Sequence, residues 1–259
     1  MDEIFADAKA CRLCPLVAPG SAVLGPGNGI APAAVLFIGE APGRLGAGRT
    51  GMPFSGDESG RRFEVLLAEA RLRRSNAFVT NAVLCLPLDA AGHNRRPLAS
   101  ELGNCAAHLA ATIEHVEPQF VVTLGAIALT ALGRIRPHGL KLQANVCQPV
   151  RWAGRTLVAL YHPGRQAQLH RALAVQQEDW RTLGRLIRGT MRRDGALPGA
   201  GQMDAAGATT TNAQPNGRAA RMGPSTSART SGGRSPESGG GRPWTSARAR
   251  PRRSDPMSQ

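Results

Sequence analysis

The chain has 259 residues, 42% of them hydrophobic, which is enough to build a buried core in one large domain or two small ones. No apolar run approaches the roughly 20 residues that a membrane span requires, and the N-terminal MDEIFADAKACRLC is acidic where a signal peptide is basic. The formal net charge is +14, so the protein is basic and suited to a polyanionic partner. We therefore expect a cytoplasmic protein with no membrane partner.

In chain order, residues 1–194 alternate short apolar runs with helical patterns. The predicted strands are 34–39, 77–84, 119–125 and 156–163, and the predicted helices are 59–71 (with Ser59 as its cap), 100–116, 126–132 and 175–192. The strands are almost continuously apolar, as in a sheet buried on both faces. The pattern predicts an α/β fold: a doubly wound three-layer sandwich with a mainly parallel central sheet.

Residues 195–259 have a different composition. This segment contains nine arginines, no lysine and three acidic residues, with Trp244 as its one aromatic side chain. Such a segment has too few apolar side chains to offset the entropy of ordering, so we expect a disordered basic tail rich in Arg, Gly, Ser and Pro. The arginines are either a non-specific tether to phosphate or a solubilising feature of an arginine-biased protein.

Unusual residues stand where three of the predicted strands end. Gly39 and Glu40 follow the first strand, Asn81 lies near the end of the second, and His162 follows the last. In doubly wound folds the ligand binds beyond the carboxyl ends of the strands, so these residues are expected in one crevice. The loop after the first strand, GEAPGRLGAGRTGMPFSGDESG, is rich in glycine and lets backbone approach a ligand closely.

Four of the five cysteines suggest a metal or an iron–sulfur site. Cys11 and Cys14 form a CxxC pair, and Cys85 and Cys105 follow at a spacing that does not repeat it. This disfavours a zinc ribbon and favours a cluster held by separate elements, while four unrelated buried thiols are the alternative. We expect Cys147 to be structural.

Six blocks in order, CRLCPL, GEAPG, RTGMPFSGDESG, VTNAVLC, VVTLGAIAL and LYHPGRQ, resemble the uracil-DNA glycosylase superfamily, specifically its iron–sulfur families 4 and 5. GEAPG is similar to family 4, whereas the RTG…GDESG and YHPGRQ blocks are similar to family 5. The resemblance covers about residues 8–190. It implies the same α/β fold, DNA as partner, a nucleoid-associated location, and a 4Fe-4S cluster on Cys11, Cys14, Cys85 and Cys105.

The resemblance also implies roles for residues of the crevice. Phe54 would stack on a flipped-out uracil, and the Asn81 amide would pair with its O4 and N3–H. His162 would donate a hydrogen bond to the charge that develops at O2, and Glu40 would stabilise the sugar cation and orient water. Gly39 and Ala41 would form the backbone wall of the site, and Arg165 would contact a phosphate.

Each of these residues also has a simpler interpretation. Phe54 could be an ordinary core side chain, Asn81 and His162 could be turn residues, and Glu40 could be a structural acid of a tight loop.

The chain departs from the family pattern in three places. The RLGAG segment lacks the acidic residues that family 4 carries there, so water activation falls on Glu40. Gly164 replaces the usual serine after His-Pro, and the Cys85–Cys105 interval is longer than in the family.

We expect a monomeric, monofunctional glycosylase that removes uracil from DNA and leaves an abasic site. Neither lysine, Lys9 or Lys141, is predicted at the crevice, so no lyase step is expected. Hypoxanthine and xanthine are alternative substrates. A catalytically weak or silent iron–sulfur protein that binds damaged DNA is the main alternative function, and an iron–sulfur electron carrier, which would need neither Phe54, Asn81 nor His162, is a further one.

Overall fold

The computed structural model describes residues 1–193, and its central feature is a five-stranded sheet. The strands β1 (Val35–Gly39), β2 (Ala77–Asn81), β3 (Phe120–Leu124), β4 (Val150–Trp152) and β5 (Arg155–Leu160) lie in the order β2-β1-β3-β5-β4. All neighbours are parallel except β4, which runs antiparallel to β5 at one edge. The four parallel strands match the sequence prediction, whereas β4 is too short for its apolar pattern to be detected.

Within residues 1–193, six α-helices accompany the sheet: α1 (Asp2–Ala10), α2 (Ala47–Thr50), α3 (Glu58–Glu69), α4 (Ala99–Val116), α5 (Ala126–Ile135) and α6 (Leu173–Arg193). The sequence did not predict α1 or α2. The predicted cap of α3 was wrong, because Asp57 and not Ser59 caps the helix, accepting a hydrogen bond of 2.8 Å from the Gly60 amide. The helix ends at Glu69, and Arg71 takes a left-handed φ of 55° just beyond it.

The sheet separates two hydrophobic clusters, because successive residues of a strand point to opposite faces. Leu36 and Ile38 of β1 point to the face covered by α1, α4 and α5. Val35 and Phe37 point to the face covered by α3 and α6, where Phe37 stacks on Trp180 at 5.4 Å between ring centroids. The three-layer α/β sandwich predicted from the sequence is thereby confirmed.

The strand order fixes where a ligand can bind. From β1 the chain moves outward to β2, and it then returns past β1 to β3 and β5 on the other side. The direction therefore reverses between β1 and β3, and a crevice opens at such a point beyond the carboxyl ends of the strands. None of the helices in residues 1–193 is long and apolar enough to cross a bilayer. The predicted basic tail, 195–259, lies outside the described residues.

Candidate active site

A cleft of about 910 Å³ opens beyond the carboxyl ends of the parallel strands. Segments that follow β1, β3 and β5 line it, together with the last residue of β2. Six of the residues singled out from the sequence line this cleft: Glu40, Ala41, Phe54, Asn81, His162 and Arg165. Gly39 lies at the base of the same region, so the expected convergence of strand ends is observed.

Phe54 connects the cleft to the aromatic core. One face of its ring stacks on Phe63 at 4.7 Å between centroids, and Phe63 in turn contacts Phe37 edge-on. Phe54 is partly exposed and also lies 5.4 Å from the His162 ring. Its φ of 50° is left-handed, a conformation that costs energy for a bulky side chain and is held by its surroundings. Phe54 is therefore more than a core residue, since it is held by the aromatic core and also lines the cleft.

Gly39 permits the close approach of two of these side chains. In the register of β1 and β2, Gly39 pairs with Asn81. A Cβ atom at Gly39 would lie 2.5 Å from Asn81 Oδ1 and 2.8 Å from Phe54 Cε2, both far inside contact distance. The absence of a side chain at this position therefore allows Phe54 and Asn81 to lie side by side.

The Asn81 side chain is 3% exposed, yet it lines the cleft. Among residues 1–193, no protein hydrogen bond occupies its amide group. A buried amide normally finds partners, because leaving it unpaired costs free energy. The Asn81 donor and acceptor are thus available to a ligand that enters the cleft.

His162 follows β5 and is held in one tautomer. The backbone N–H of Gly164 donates a hydrogen bond of 2.8 Å to His162 Nδ1, so the neutral ring carries its proton on Nε2. Burial lowers the pKa of His162 to about 4, although the charge of Asp57 acts in the opposite direction. At neutral pH the ring is an uncharged hydrogen-bond donor.

The glycine that replaces a serine after His-Pro is required by this geometry. A Cβ atom at Gly164 would lie 2.7 Å from His162 Nδ1 in the observed arrangement. The Gly164 backbone N–H makes the hydrogen bond to the imidazole that a serine hydroxyl could have made. The His162 ring therefore has a hydrogen-bond partner although the hydroxyl is absent.

Glu40 is the acid at the end of β1. Burial raises the pKa of its carboxyl group, while the positive charge of Arg96 lowers it in part. Arg96 is exposed and lines the same cleft. A partly buried carboxylate opposed by one exposed arginine is a group suited to stabilise positive charge or to accept a proton from water.

Exposed cations surround the mouth of the cleft. Lys141, Arg96 and Arg165 all line it and are exposed to solvent. The expectation that no lysine lies at the crevice was wrong for Lys141, because the segment between α5 and β4 folds back over the cleft. A phosphate chain would meet positive charge on several sides of this opening.

The part of the β2–α4 segment that follows Cys85 forms one rim of the cleft, and no site residue was predicted there from the sequence. Arg95 makes two hydrogen bonds, of 2.6 and 2.8 Å, to the carboxylate of Glu101, whose side chain is 3% exposed. Asn94 accepts a hydrogen bond of 2.9 Å from the Arg44 amide across the opening. These contacts tie the rim both to α4 and to the glycine-rich loop.

The four predicted cluster cysteines lie together, away from the cleft. Cys11 ends α1, Cys14 follows it, Cys85 follows β2 and Cys105 lies in α4. Burial, with smaller contributions from the charges of the other three thiols, raises the pKa of Cys105 to about 11. Asn104 donates hydrogen bonds to Leu13 O at 2.9 Å and to Cys14 Sγ at 3.4 Å, which anchors the CxxC loop to α4.

The chemistry of this donor set fits an iron–sulfur cluster, whose protein ligands are cysteine thiolates. A tetrahedral ion with metal–sulfur bonds of about 2.3 Å would need its sulfurs about 4 Å apart. Within residues 1–193, no three His, Cys, Asp or Glu side chains lie close enough to hold one metal ion. All four thiols are free, and charge on neighbouring thiols of the set raises the pKa values of Cys85 and Cys105. Four cysteine ligands are those that a 4Fe-4S cluster requires.

Comparison with known proteins agrees with this architecture. The family model of the uracil DNA glycosylase superfamily matches residues 26–184. A type-4 uracil-DNA glycosylase of Archaeoglobus fulgidus is 28% identical over 72% of this chain and 92% of its own length. One from Thermotoga maritima is 32% identical over 63% and 81%.

A type-5 uracil-DNA glycosylase of Thermus thermophilus is 35% identical to the chain, over 61% of this chain and 84% of its own length. Among solved structures, SMUG2 of Pedobacter heparinus aligns with a TM-score of 0.41 at 14% identity, over 63% of this chain and 76% of its own. Relatives of both types match, as the mixture of sequence blocks predicts. The chain belongs to the uracil DNA glycosylase superfamily.

Proposed function

We propose that this protein is a DNA glycosylase that hydrolyses the N-glycosidic bond of uracil in DNA and leaves an abasic site. One observation carries the proposal: the unoccupied Asn81 amide, the Nε2–H tautomer of His162 and the ring of Phe54 meet in one cleft. These groups match the faces of a uracil ring. The membership of the superfamily and the names of the relatives, type-4 and type-5 uracil-DNA glycosylase, support the same reaction.

Base recognition follows from the donor and acceptor pattern. A flipped-out uracil stacked on Phe54 would offer O4 to the Asn81 N–H and its N3–H to the Asn81 carbonyl. Cytosine presents the reverse pattern at these two positions, so the same amide orientation leaves it mismatched. A base still paired in the duplex cannot reach a buried amide, so the nucleotide must leave the stack first.

The chemical step separates charge. When the bond to C1′ breaks, the electron pair leaves with the base, so negative charge develops at O2 and positive charge on the sugar. His162 Nε2–H would donate to O2, and an uncharged imidazole can do this without a proton being removed from the site. Glu40 would stabilise the sugar cation and orient the water that attacks it, and the water's proton passes to the carboxylate or the departing base.

We further propose that Cys11, Cys14, Cys85 and Cys105 hold a 4Fe-4S cluster. When bound, such a cluster joins α1, the start of the rim segment and α4 through metal–thiolate bonds. The exposed Arg96, Lys141 and Arg165 would contact DNA phosphates. The protein would act as a monomer that is associated with the nucleoid. Ala41 and Gly39 would form the backbone wall beside the base.

The reaction would be monofunctional. Lys141 lies at the exposed rim of the cleft, where its charge is suited to a phosphate and not to attack on the sugar. Strand cleavage would therefore require alkali after base release. Borohydride reduction should trap no protein on DNA, either with the wild type or with Lys141→Ala.

The test is base release from matched oligonucleotides that carry one uracil, hypoxanthine or xanthine, under single-turnover conditions with anaerobically purified protein. Uracil should be released, and Glu40→Gln and His162→Ala should each slow release by about a hundredfold or more while DNA binding persists. Glu58→Gln and His115→Ala are matched controls on exposed positions of α3 and α4. Absence of release from every substrate, with DNA binding intact, would favour a damage-binding protein.

A further inference from the structure

Several arginines lie where the end of α3 meets α6. The two helices cross closely there, because a Cβ atom at Gly184 of α6 would overlap the carbonyl oxygen of Ala70, the residue after α3. Arg188, one turn further along α6, donates a hydrogen bond of 2.7 Å to the same oxygen. The crossing therefore brings the last turns of α6 beside Arg71 and the loop that follows α3.

We call Arg71, Arg185, Arg188 and Arg192 the basic cluster. Burial lowers the pKa of Arg188, with added contributions from the positive charges of the other three members. Those three are exposed to solvent. Among residues 1–193, an ion pair is found for Arg185 alone of the four, with Glu178. Like charges held together repel one another, so a bound anion would lower the free energy of this surface.

The basic cluster lies at the other end of the sheet from the cleft. Ser59 near the start of α3 lines the cleft, and the chain enters β2 soon after α3 ends, so α3 runs towards the amino ends of the parallel strands. At 1.5 Å per residue, about 17 Å along the helix separates Ser59 from Ala70. His170 also lines the cleft and directly precedes α6, which runs away from it in the same direction. A ligand on the basic cluster would leave the cleft free.

The composition of this surface favours a phosphate backbone. None of the large hydrophobic side chains exposed in residues 1–193 lies in 70–76 or 185–193. A membrane surface or a protein partner is usually met by apolar side chains beside the cations. The α6 members of the cluster follow one another at i, i+3 and i+7, which places them on one face of the helix.

The length of this arginine stripe suits duplex DNA. From Arg185 to Arg192 it spans about 10 Å, whereas each DNA strand carries a phosphate about every 3.4 Å of helix axis. The stripe can therefore meet about three successive phosphates. The sequence that follows α6, residues 195–259, adds nine arginines against three acidic residues.

We propose that the basic cluster is a second DNA-binding surface, which holds the backbone of an undamaged duplex segment while the cleft holds the damaged strand. The inference rests on the proposed function for the choice of DNA as the polyanion. Arginine contacts to phosphate carry no sequence information, so this surface would not select a base. A protein with DNA-binding surfaces at two ends can bridge two segments of DNA and pass between them without full dissociation.

The test uses a full-length double variant, Arg71→Asn/Arg192→Gln. Asn tolerates the left-handed φ of 55° at position 71, and Arg192 is exposed at the end of α6. Arg188 keeps its hydrogen bond to Ala70, so the crossing of the two helices is preserved. Melting temperatures should stay close to that of the wild type.

Arg134→Gln/Arg136→Gln is the matched control. Both arginines are exposed at the end of α5, which covers the opposite face of the sheet, and neither forms an ion pair within residues 1–193. The control changes the net charge by the same amount as the cluster variant. An effect of total charge alone would therefore be equal in the two.

The first measurement is the Kd for an undamaged, fluorescent duplex, by anisotropy at several salt concentrations. In the cluster variant the slope of log Kd against log salt should fall by about two, and binding at low salt should weaken by about tenfold. The control should follow the wild type. Single-turnover release of uracil at saturating protein should stay within about twofold of the wild type in both variants, because the cluster is remote from the cleft.

The second measurement is bridging of two duplexes. Protein is bound to a biotinylated duplex that carries a tetrahydrofuran abasic analogue on beads, and capture of a second, labelled undamaged duplex is recorded. The wild type and the control should capture it, and the cluster variant should capture about fivefold less.

An unchanged salt slope in the cluster variant, or capture equal to that of the wild type, would overturn the inference. Cluster-dependent binding of phosphatidylglycerol vesicles, with duplex binding unaffected, would overturn the choice of DNA. If no oligonucleotide releases a base yet the cluster controls slope and capture, the proposed function fails and the inference survives. If uracil release is fast while slope and capture ignore the cluster, only the inference fails.

Discussion

At the residue scale, the same physical factor prepares two groups for different tasks. Burial disfavours charge on both His162 and Glu40, so the imidazole stays neutral and the carboxyl group titrates above its ordinary pKa. His162 can therefore donate a hydrogen bond to a forming anion, while the carboxylate form of Glu40 opposes a forming cation. Arg96 limits the rise in the pKa of Glu40.

These shifts predict the pH dependence of base release. Release should fall as the pH drops through the raised pKa of Glu40, above its ordinary value of 4.5, because protonation removes the negative charge. His162 gains a proton only near pH 4, so it should add no change between about pH 6 and 9. The measurement is the single-turnover rate against pH.

Glu40→Gln supplies the control for this profile. The rate of base release by Glu40→Gln should be lower and should no longer fall at acid pH, since the amide does not titrate. If the rate of Glu40→Gln still falls at acid pH as in the wild type, another group causes that fall, and the proposed role of Glu40 is contradicted.

At the element scale, the register of β1 and β2 sets the position of the residue proposed to recognise the base. The pairing of Gly39 with Asn81 places the amide beside Phe54, and a shift of one residue would turn Asn81 to the opposite face of the sheet. The side chain proposed to recognise the base is therefore positioned by strand pairing and not by a flexible loop.

Gly39→Ala tests this dependence. The added methyl group would overlap Asn81 Oδ1 and Phe54, so one or both side chains must move. We expect release of uracil to slow by about a hundredfold, with a loss of stability of about 1–3 kcal/mol from overpacking. Single-turnover rates and urea unfolding measure the two effects.

Gly25→Ala is the matched control for that substitution, because a Cβ atom there meets nothing within 4 Å. Equal activity of Gly39→Ala and the wild type would show that Asn81 and Phe54 need not lie side by side.

At the scale of the whole molecule, two centres lie on different parts of one fold. The segment between β2 and α4 starts at Cys85 and continues as the rim of the cleft, where Arg95 joins Glu101 of α4. Since α4 also carries Cys105, any group that binds the four thiols is connected to the rim by one rigid helix and one buried ion pair. A cluster in this position would support the site structurally without contact with the base.

Loss of one thiol should remove the cluster. We expect Cys105→Ser to purify anaerobically with much less iron and inorganic sulfide than the wild type and to unfold at a lower temperature. Cys147→Ser is the control, because Cys147 instead donates to the Asp179 carbonyl near α6. Full iron content in Cys105→Ser would show that the cysteines do not form a single site.

The sequence alone determined the positions of the four parallel strands along the chain and of four of the helices, because apolar periodicity reports local burial. It also identified the residues at the strand ends, since parallel strands direct those ends to one edge. Proximity in space required the tertiary structure: the approach of Lys141 to the cleft, the basic cluster beside Ala70, the Arg95–Glu101 pair and the tautomer of His162. These contacts join residues that no periodic pattern relates, and they exist only once the chain has closed around its core.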